Sequence, residues 1–598
     1  MTTEQSLPSH PVHRSAGPGQ PARVVVGLLL LLPALLALLW SYVLPSVSTL
    51  VKSFQRDPLI GPVEQVGGAN YDRIFEMGFL GAFVFALVLG LLPLLSALLV
   101  APLIAVVADR AGRAARLVTR GLLALPLAGY APVAVLVFWM LHRSDPRALS
   151  ENPRLTLIWI VGITSFGVVV GVAATFFLSA LRNRRTGGRP GRAMLVTGAV
   201  LALGIVAAAL QTYTVPAVLT GGGPARATVT PVLDAMQNSL VRMDLGPGAA
   251  ISTILLVVLG VLGLAAVGLL LATRARFELD GWRDRPAAPT GIVPPGGAVP
   301  SPTAPARGGG RPLFLVLLVV ALVGFLAVTT YAVLFPWLRA AFSDGELPMG
   351  ASAAGIHVNT WIPPLIGALV SVTLAALGGF AIGALRPLGR WSELLLLPFA
   401  PWLFVGTGPL AIANYLRARD FDQIDTLIGL IPPGWVSIPA LVAFTLLFRG
   451  QEPRWRAGGG FGRTVLLPAL PMFPLAVVVS WLVSAQQVLW PWLVAQGPDS
   501  RTAGLVAQLM LQQRFGAEDA ALSMVLPLPM MVLFLLVLVA AQITYLDRLT
   551  LRTGPPPSPA DPRDLAVVAP QFRQMGETTA RSREGRYGGG AGPEGVKD

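Results

Sequence analysis

Apolar and polar positions in this chain fall in long blocks rather than in short periods. A helix needs about 20 mostly apolar residues to cross the hydrocarbon core of a bilayer. Runs of that kind occupy 24–46, 79–108, 119–141, 155–181, 193–219 and 248–273. Six more occupy 313–338, 362–385, 392–415, 429–448, 464–494 and 521–546. The pattern predicts an all-α, polytopic integral membrane protein with about twelve transmembrane helices in two six-helix halves. The run at 429–448 is the shortest and is interrupted by Pro432, Pro433 and Pro439. The first run, with small residues at 46–48, could be taken for a signal peptide. Its length argues for a span, and removing it would leave an odd number of crossings.

Between the halves, DRPAAPTGIVPPGGAVPSPTAPARGGGR (284–311) is dense in Pro and Gly and has almost no large apolar residues. That is linker composition. The expected organisation is a short tail (1–23), a first transmembrane domain (24–276), a linker (277–311), a second transmembrane domain (312–548) and a polar tail (549–598). The tail from Gly554 onward is also rich in Gly and Pro and is expected to be disordered.

Composition agrees with the spans. Of 598 residues, 54% are hydrophobic and 12% charged, about half the charged fraction of soluble domains, roughly 25%. The net charge of +14 would suggest nucleic acid in a soluble protein. Here the arginines cluster in short connections, so topology and anionic lipid headgroups account for them, and no nucleic-acid partner is expected. The chain has no cysteine, and its four histidines (His10, His13, His142 and His357) are scattered. Disulfides, thiolate chemistry and a His- or Cys-based metal site are therefore not expected.

Charge also orients the stack. Arg110, Arg113, Arg116 and Arg120 crowd one connection; Arg182, Arg184, Arg185, Arg189 and Arg192 another; Arg449, Arg454, Arg456 and Arg463 a third. With alternating spans, all three fall on one side. The opposite connections mix signs, as at Arg417, Arg419, Asp420, Asp422 and Asp425. The positive-inside rule then makes both termini cytoplasmic in a cell membrane. Ionisable residues lie in the connections, with Glu393 at a cytoplasmic end. Ion-driven transporters and membrane enzymes generally need such groups at depth, so any energy for transport is expected from outside the spans.

Several motifs resemble the membrane subunits of binding-protein-dependent ABC importers for carbohydrates. TGGGPARAT (220–228) resembles their external loop, and LGPGAAISTILLVVLGVLG (245–263) the final helix of the first-type subunit. LLPALLALLWSYVLPSVSTLVKSFQ (31–55) and ANYDRIF (69–75) resemble its opening helix and first external segment. VNTWIPPLIGALVSVTLAALGGFAIGALRPLGR (358–390) and SAQQVLWPWLVAQGPDSRTAGLVAQLMLQQRFGAEDAALSMVLPLP (484–529) resemble the second-type subunit. Their order implies a first-type subunit fused to a second-type subunit. The family implies helices around a central path, two ATP-binding partner subunits, an extracytoplasmic solute-binding protein and a small polar solute such as a sugar. It implies no catalysis and no cofactor in this chain.

On that resemblance, Tyr213, Thr214, Gln486, Gln487, Trp490 and Trp492 are the candidate substrate path, and Thr220, Gly221, Gly222, Gly223 and Pro224 the external loop. Tyr, Thr and Gln can bond hydroxyls without a buried charge, and Trp offers flat faces to a ring. Interfacial aromatics and ordinary interhelical polar contacts would produce the same residues. The chain departs from the family at the cytoplasmic EAA-type loops. RRTGGRPGR (184–192) and QEPRWRAGGGFGRTVLLP (451–468) lack the acidic core, and their Gly runs disfavour helix. Glu452, Arg454, Trp455 and Arg456 are the candidates for any ATPase contact. The eroded loops leave open a degenerate permease serving as a scaffold or sensor partner. A membrane enzyme built on Asp420, Asp422 and Asp425 is a third class, and a solvated face explains those acids better.

Overall fold

The sequence dictates helices almost throughout: in lipid every backbone N–H and C=O must be satisfied within its own segment. In the computed structural model of the chain, residues 20–58, 61–142, 146–183, 190–279, 311–341, 352–513 and 522–554 are described. Most of the first EAA-type loop (184–189 of 184–192), most of the linker (280–310) and the tail beyond Gly554 lie outside them. Among the described residues, nine helices are long and apolar enough to cross a membrane: Pro21–Ser53, Phe79–Ala111, Pro153–Leu181, Pro190–Leu219, Leu245–Ala272, Pro312–Arg339, Ala353–Leu385, Gly462–Ala485 and Leu528–Arg548. Two bent pairs raise the number to eleven. Arg113–Ala128 meets Pro132–Met140 at 71°, and Gly389–Trp402 meets Thr407–Asp420 at 80°. The protein is a multi-pass, all-α membrane protein.

The remaining apolar run behaves differently. Over 429–448 the chain stays irregular through Ser437, and helix Ile438–Arg456 then ends in polar residues. Its apolar stretch, 438–448, covers about 16 Å at 1.5 Å per residue, short of the roughly 30 Å core. Pro432 and Pro433 would break any helix that ran back through them. Ile438, Leu441, Phe444 and Leu447 are nevertheless fully buried. Non-helical backbone is tolerated at membrane depth where protein rather than lipid surrounds it.

The architecture repeats. Helices Phe79–Ala111 and Ala353–Leu385 begin 274 residues apart (79 and 353). The two bent pairs follow them in the same order. Helices Pro153–Leu181 and Ile438–Arg456 end 275 residues apart (181 and 456). Each half closes on a short strand, β3 (Arg276–Leu279) and β4 (Leu549–Arg552), after a first hairpin of β1 (Gln55–Arg56) and β2 (Glu64–Gln65).

The halves are interlocked. Opening helix Pro21–Ser53 packs on Ala353–Leu385 of the other half, where a Cβ on Gly378 would stand 3.2 Å from that of Ala34. Reciprocally, Pro312–Arg339 packs on Phe79–Ala111 and Pro153–Leu181 of the first half, with Phe325 against Phe166 at 6.1 Å. Strands β3 and β4 then pair antiparallel across the halves, with Glu278 opposite Thr550. Composition alone placed Phe277–Leu279 in the linker and Leu549–Arg552 in the tail; the ladder carries the folded unit a few residues past both bounds. Residues through Thr553 form one compact unit.

Candidate functional site at the seam between the halves

Helix Pro190–Leu210 ends at Gln211, and the chain turns through Thr212 and Tyr213 before a short helix, Thr214–Leu219. The second half repeats this: Met472–Ala485, a turn at Gln486 and Gln487, then Leu489–Val494. Gln211 and Gln486, Pro216 and Pro491, and Gly222 and Gly497 each stand 275 residues apart. Proline at the third position of each short helix costs no internal hydrogen bond.

Both turns meet the break in the second half's bent pair, the first across the seam and the second from within its own half. The Gln211 amide donates to Ala207 O (2.9 Å) and to Phe404 O (2.7 Å), while its oxygen accepts from Gly406 N–H (2.7 Å). Thr407, the first residue past the break, donates from Oγ1 to Gln487 Oε1 at 3.0 Å. Two backbone groups freed by the 80° bend, Phe404 O and Gly406 N–H, are thus satisfied by the neutral side chain of Gln211. Gln211 and Thr407 were not singled out in the sequence. The signal available was the spacing of the two glutamine turns.

The predicted path residues are only partly brought together. Tyr213, Trp490 and Trp492 share one apolar cluster, in which Tyr213 and Trp490 are buried. Trp490 Nε1 donates to Gly429 O at 2.9 Å. Only 3% exposed, the ring is committed to packing rather than open for stacking on a solute. Gln486 points elsewhere: it is buried, donates to Val525 O at 3.0 Å, and leaves Oε1 without a hydrogen-bond partner. Thr214 is half-buried at the head of its helix. Gln487 and Trp490 line a small cavity of about 10 Å³ with Asn359, Thr360 and Ser484, room for about one water.

Residues 220–224 form a tight knot. Thr220 and Thr228 hydroxyls lie 2.7 Å apart, Thr228 Oγ1 donates to Gly223 O, and Gln237 Nε2 to Gly221 O. Gly222 has φ +90°, and a Cβ there would meet Val229 at 2.8 Å, so both conformation and space require glycine. Arg226 pairs with buried Asp234 at 2.8 Å, and Asn238 donates to the same oxygen. In the second half, Asp425 plays the tethering part. It accepts from Ser500 Oγ (2.5 Å) and Gly497 N–H (2.7 Å). Burial pushes its pKa up, but these bonds, one from Gln496 N–H and the charge of Arg501 outweigh it and hold the carboxyl below its ordinary value.

On the arginine-rich face the coupling candidates are largely used internally. Glu452 is buried, pairs with Arg386 at 3.7 Å and contacts the Arg456 guanidinium. Trp455 packs against Phe380 and Phe461 and lies under Arg23 at 5.4 Å. Arg454 reaches Gln451 Oε1 (3.2 Å) and the β3 carbonyl of Leu279 (3.4 Å).

One group there was misplaced by the sequence. Arg120, counted with a connection, is fully buried in the bent span. Asp547, at the end of the last span, receives Arg116 Nε at 2.8 Å, Arg120 Nε at 3.4 Å and Arg182 Nη1 at 3.3 Å. Among the described residues no group of three His, Cys, Asp or Glu side chains could hold a metal ion. Compared with models of known protein families and with characterised proteins, the chain matches none.

Proposed function

We propose that this chain is the membrane-spanning permease of a binding-protein-dependent importer, with both permease units fused, moving a small polar solute such as a sugar. The observation that carries the reading is the seam. Two repeated, interlocked halves meet where a bent helix of the second exposes backbone groups; Gln211 of the first half bonds them, and Thr407 pairs with Gln487 at the same break, all three neutral hydrogen-bonders. Discontinuous helices at a repeat interface are where transporters bind solutes, and neutral donors and acceptors suit hydroxyls. The chain contributes the path; separate ATP-binding subunits supply the energy, and an extracytoplasmic binding protein delivers the solute.

A second reading is an uncoupled relative that keeps the fold as a scaffold or sensor partner. What favours it is the internal use of Glu452 and Trp455, which leaves Arg456 as the one exposed member of the expected ATPase contact. One experiment separates the two. The tagged full chain is purified in mild detergent and its partners identified by mass spectrometry. A stoichiometric nucleotide-binding subunit, with uptake lost on deleting the gene, supports the coupled permease. Intact, folded protein without such a subunit, and unchanged uptake, rejects it.

A further inference from the structure

A cavity of about 570 Å³ opens where the opening helix meets the second half's Thr407–Asp420 helix, on the same face as the Gly-rich knot. Its volume falls within the usual range for small-molecule sites, roughly 300–1,000 Å³. Its charges are unbalanced. Lys52 pairs with Asp57 at 2.5 Å and Arg419 with Asp420 at 3.1 Å. Arg417, the third cation lining it, has no carboxylate within 4.0 Å among the described residues. It donates only to neutral oxygens, Trp40 O (2.5 Å) and Asn414 Oδ1 (2.7 Å), with its guanidinium 4.8 Å from the Trp40 ring. Three cations against two anions leave one positive charge on a half-buried guanidinium. Such a charge is costly without a counter-ion.

The rim is apolar and open. Trp40, Leu44 and Phe421 are 43%, 46% and 57% exposed, and the helix carrying Trp40 continues outward-facing at Leu32, Leu36 and Val47. A polar floor with one uncompensated cation, opening onto an exposed aliphatic stripe, matches an amphiphile. We propose that this cavity binds a membrane phospholipid, its phosphate on Arg417 and its acyl chains along the Pro21–Ser53 helix. Arg is suited to this because its planar donors meet two phosphate oxygens at once. Trp40 holds the guanidinium flat, in the amphipathic position Trp takes at membrane interfaces. The proposal does not depend on the transport reading.

Native mass spectrometry of the full chain, exchanged into detergent with phosphatidylglycerol, counts bound lipid. Wild type retains a phosphatidylglycerol molecule but not diacylglycerol, which has the same chains and no phosphate. Removing a charge-assisted bond in Arg417→Gln lowers retention roughly tenfold. Arg417→Lys keeps the charge and restores part of it, which separates binding from misfolding. Arg419→Gln, whose exposed pair contributes little, stays within about twofold. Equal retention by wild type and Arg417→Gln, or equal retention of diacylglycerol, overturns the proposal. Displacement of the lipid by glycerol phosphate at matched concentration overturns the lipid assignment and points to a soluble phosphorylated ligand.

Discussion

Three guanidinium groups around one carboxylate make a prediction whose sign depends on which member is removed. Asp547 is buried, as are Arg116 and Arg120, the latter with no exposed surface. Arg116 also has Asp109 at 3.3 Å, and Arg120 Nη1 donates to Gln542 Oε1 at 3.2 Å, but Arg120 Nε and Nη2 have no hydrogen-bond partner, Nε meeting Asp547 only as an ion pair. Asp547→Ala takes away the shared anion and leaves buried cations facing one another. Breaking a buried pair from one side costs about 3–5 kcal/mol. Arg120→Leu removes a buried donor that is not fully satisfied and relieves repulsion from Arg116 and Arg182. Removing one member of a buried pair is costly when it strands the other charge, but Asp547 keeps Arg116 and Arg182 when Arg120 goes, so no charge is stranded. Unfolding free energies in mixed micelles, titrated with denaturing detergent, measure both. Asp547→Ala should fall steeply and Arg120→Leu should hold or rise. Equal losses in the two variants would refute the reasoning, because they would mean that pairing, rather than excess buried charge, sets the energy of the cluster.

Three further outcomes follow from the geometry. Gly450→Val should abolish the folded chain or cost well over the 1–3 kcal/mol typical of overpacking, since a Cβ there meets the β3 carbonyl of Phe277 at 1.9 Å; folded yield by size exclusion reads this. Gln211→Ala unpairs Phe404 O and Gly406 N–H across the seam, and at about 0.5–1.5 kcal/mol per bond should lower stability by about 1–3 kcal/mol, seen as a reduced melting temperature, with a loss of uptake if the seam is the path. Asp425 has a folded pKa below its ordinary 3.8, so its stabilisation is complete above about pH 4 and is lost as pH falls through the lower folded value; protease nicking near Gln496–Ser500 should increase over that acid window, and Asp425→Asn should remove the dependence.

The spans were legible because lipid imposes one solution on apolar sequence, and eleven of the twelve runs coincide with helices or bent pairs. The run at 429–448 does not coincide with a helix of spanning length, and for a physical reason. Hydropathy registers burial but not what does the burying, and Leu441 and Phe444 are buried by neighbouring helices rather than by lipid. The bends at 129–131 and 403–406 left a weak trace, Gly129 and Gly406 inside otherwise apolar runs. The site was harder. Aromatic residues drew attention to Trp490, whose indole is spent on Gly429 O, while Gln211 and Thr407 matter through partners about 190 and 80 residues away in sequence. Arg120 was assigned by its neighbours in a basic cluster, and only the packing of the last span against it reveals a buried charge.

Interlocking restricts how the two halves can move. Each opening helix is seated in the opposite half, and the β3–β4 ladder joins them on the arginine-rich face through Glu278, which pairs with Arg552 at 3.1 Å. Four ladder residues on each strand, a cross-half carboxylate at Asp547 and the close approach at Gly450 make that face the more strongly tied. Separation of whole halves would have to break all of these together. Rotation at the two bends disturbs far less: at the second, the Gln211 and Gln487 bonds with Phe404, Gly406 and Thr407, each worth only about a kilocalorie net. If the chain is the permease proposed above, its change of access would concentrate at the bent helices, with the ladder as its fixed side. Cysteines placed at Glu278 and Thr550, directly opposite in the ladder of a chain with no native cysteine, should cross-link without loss of uptake; a loss that reduction restores would move the hinge into the ladder itself.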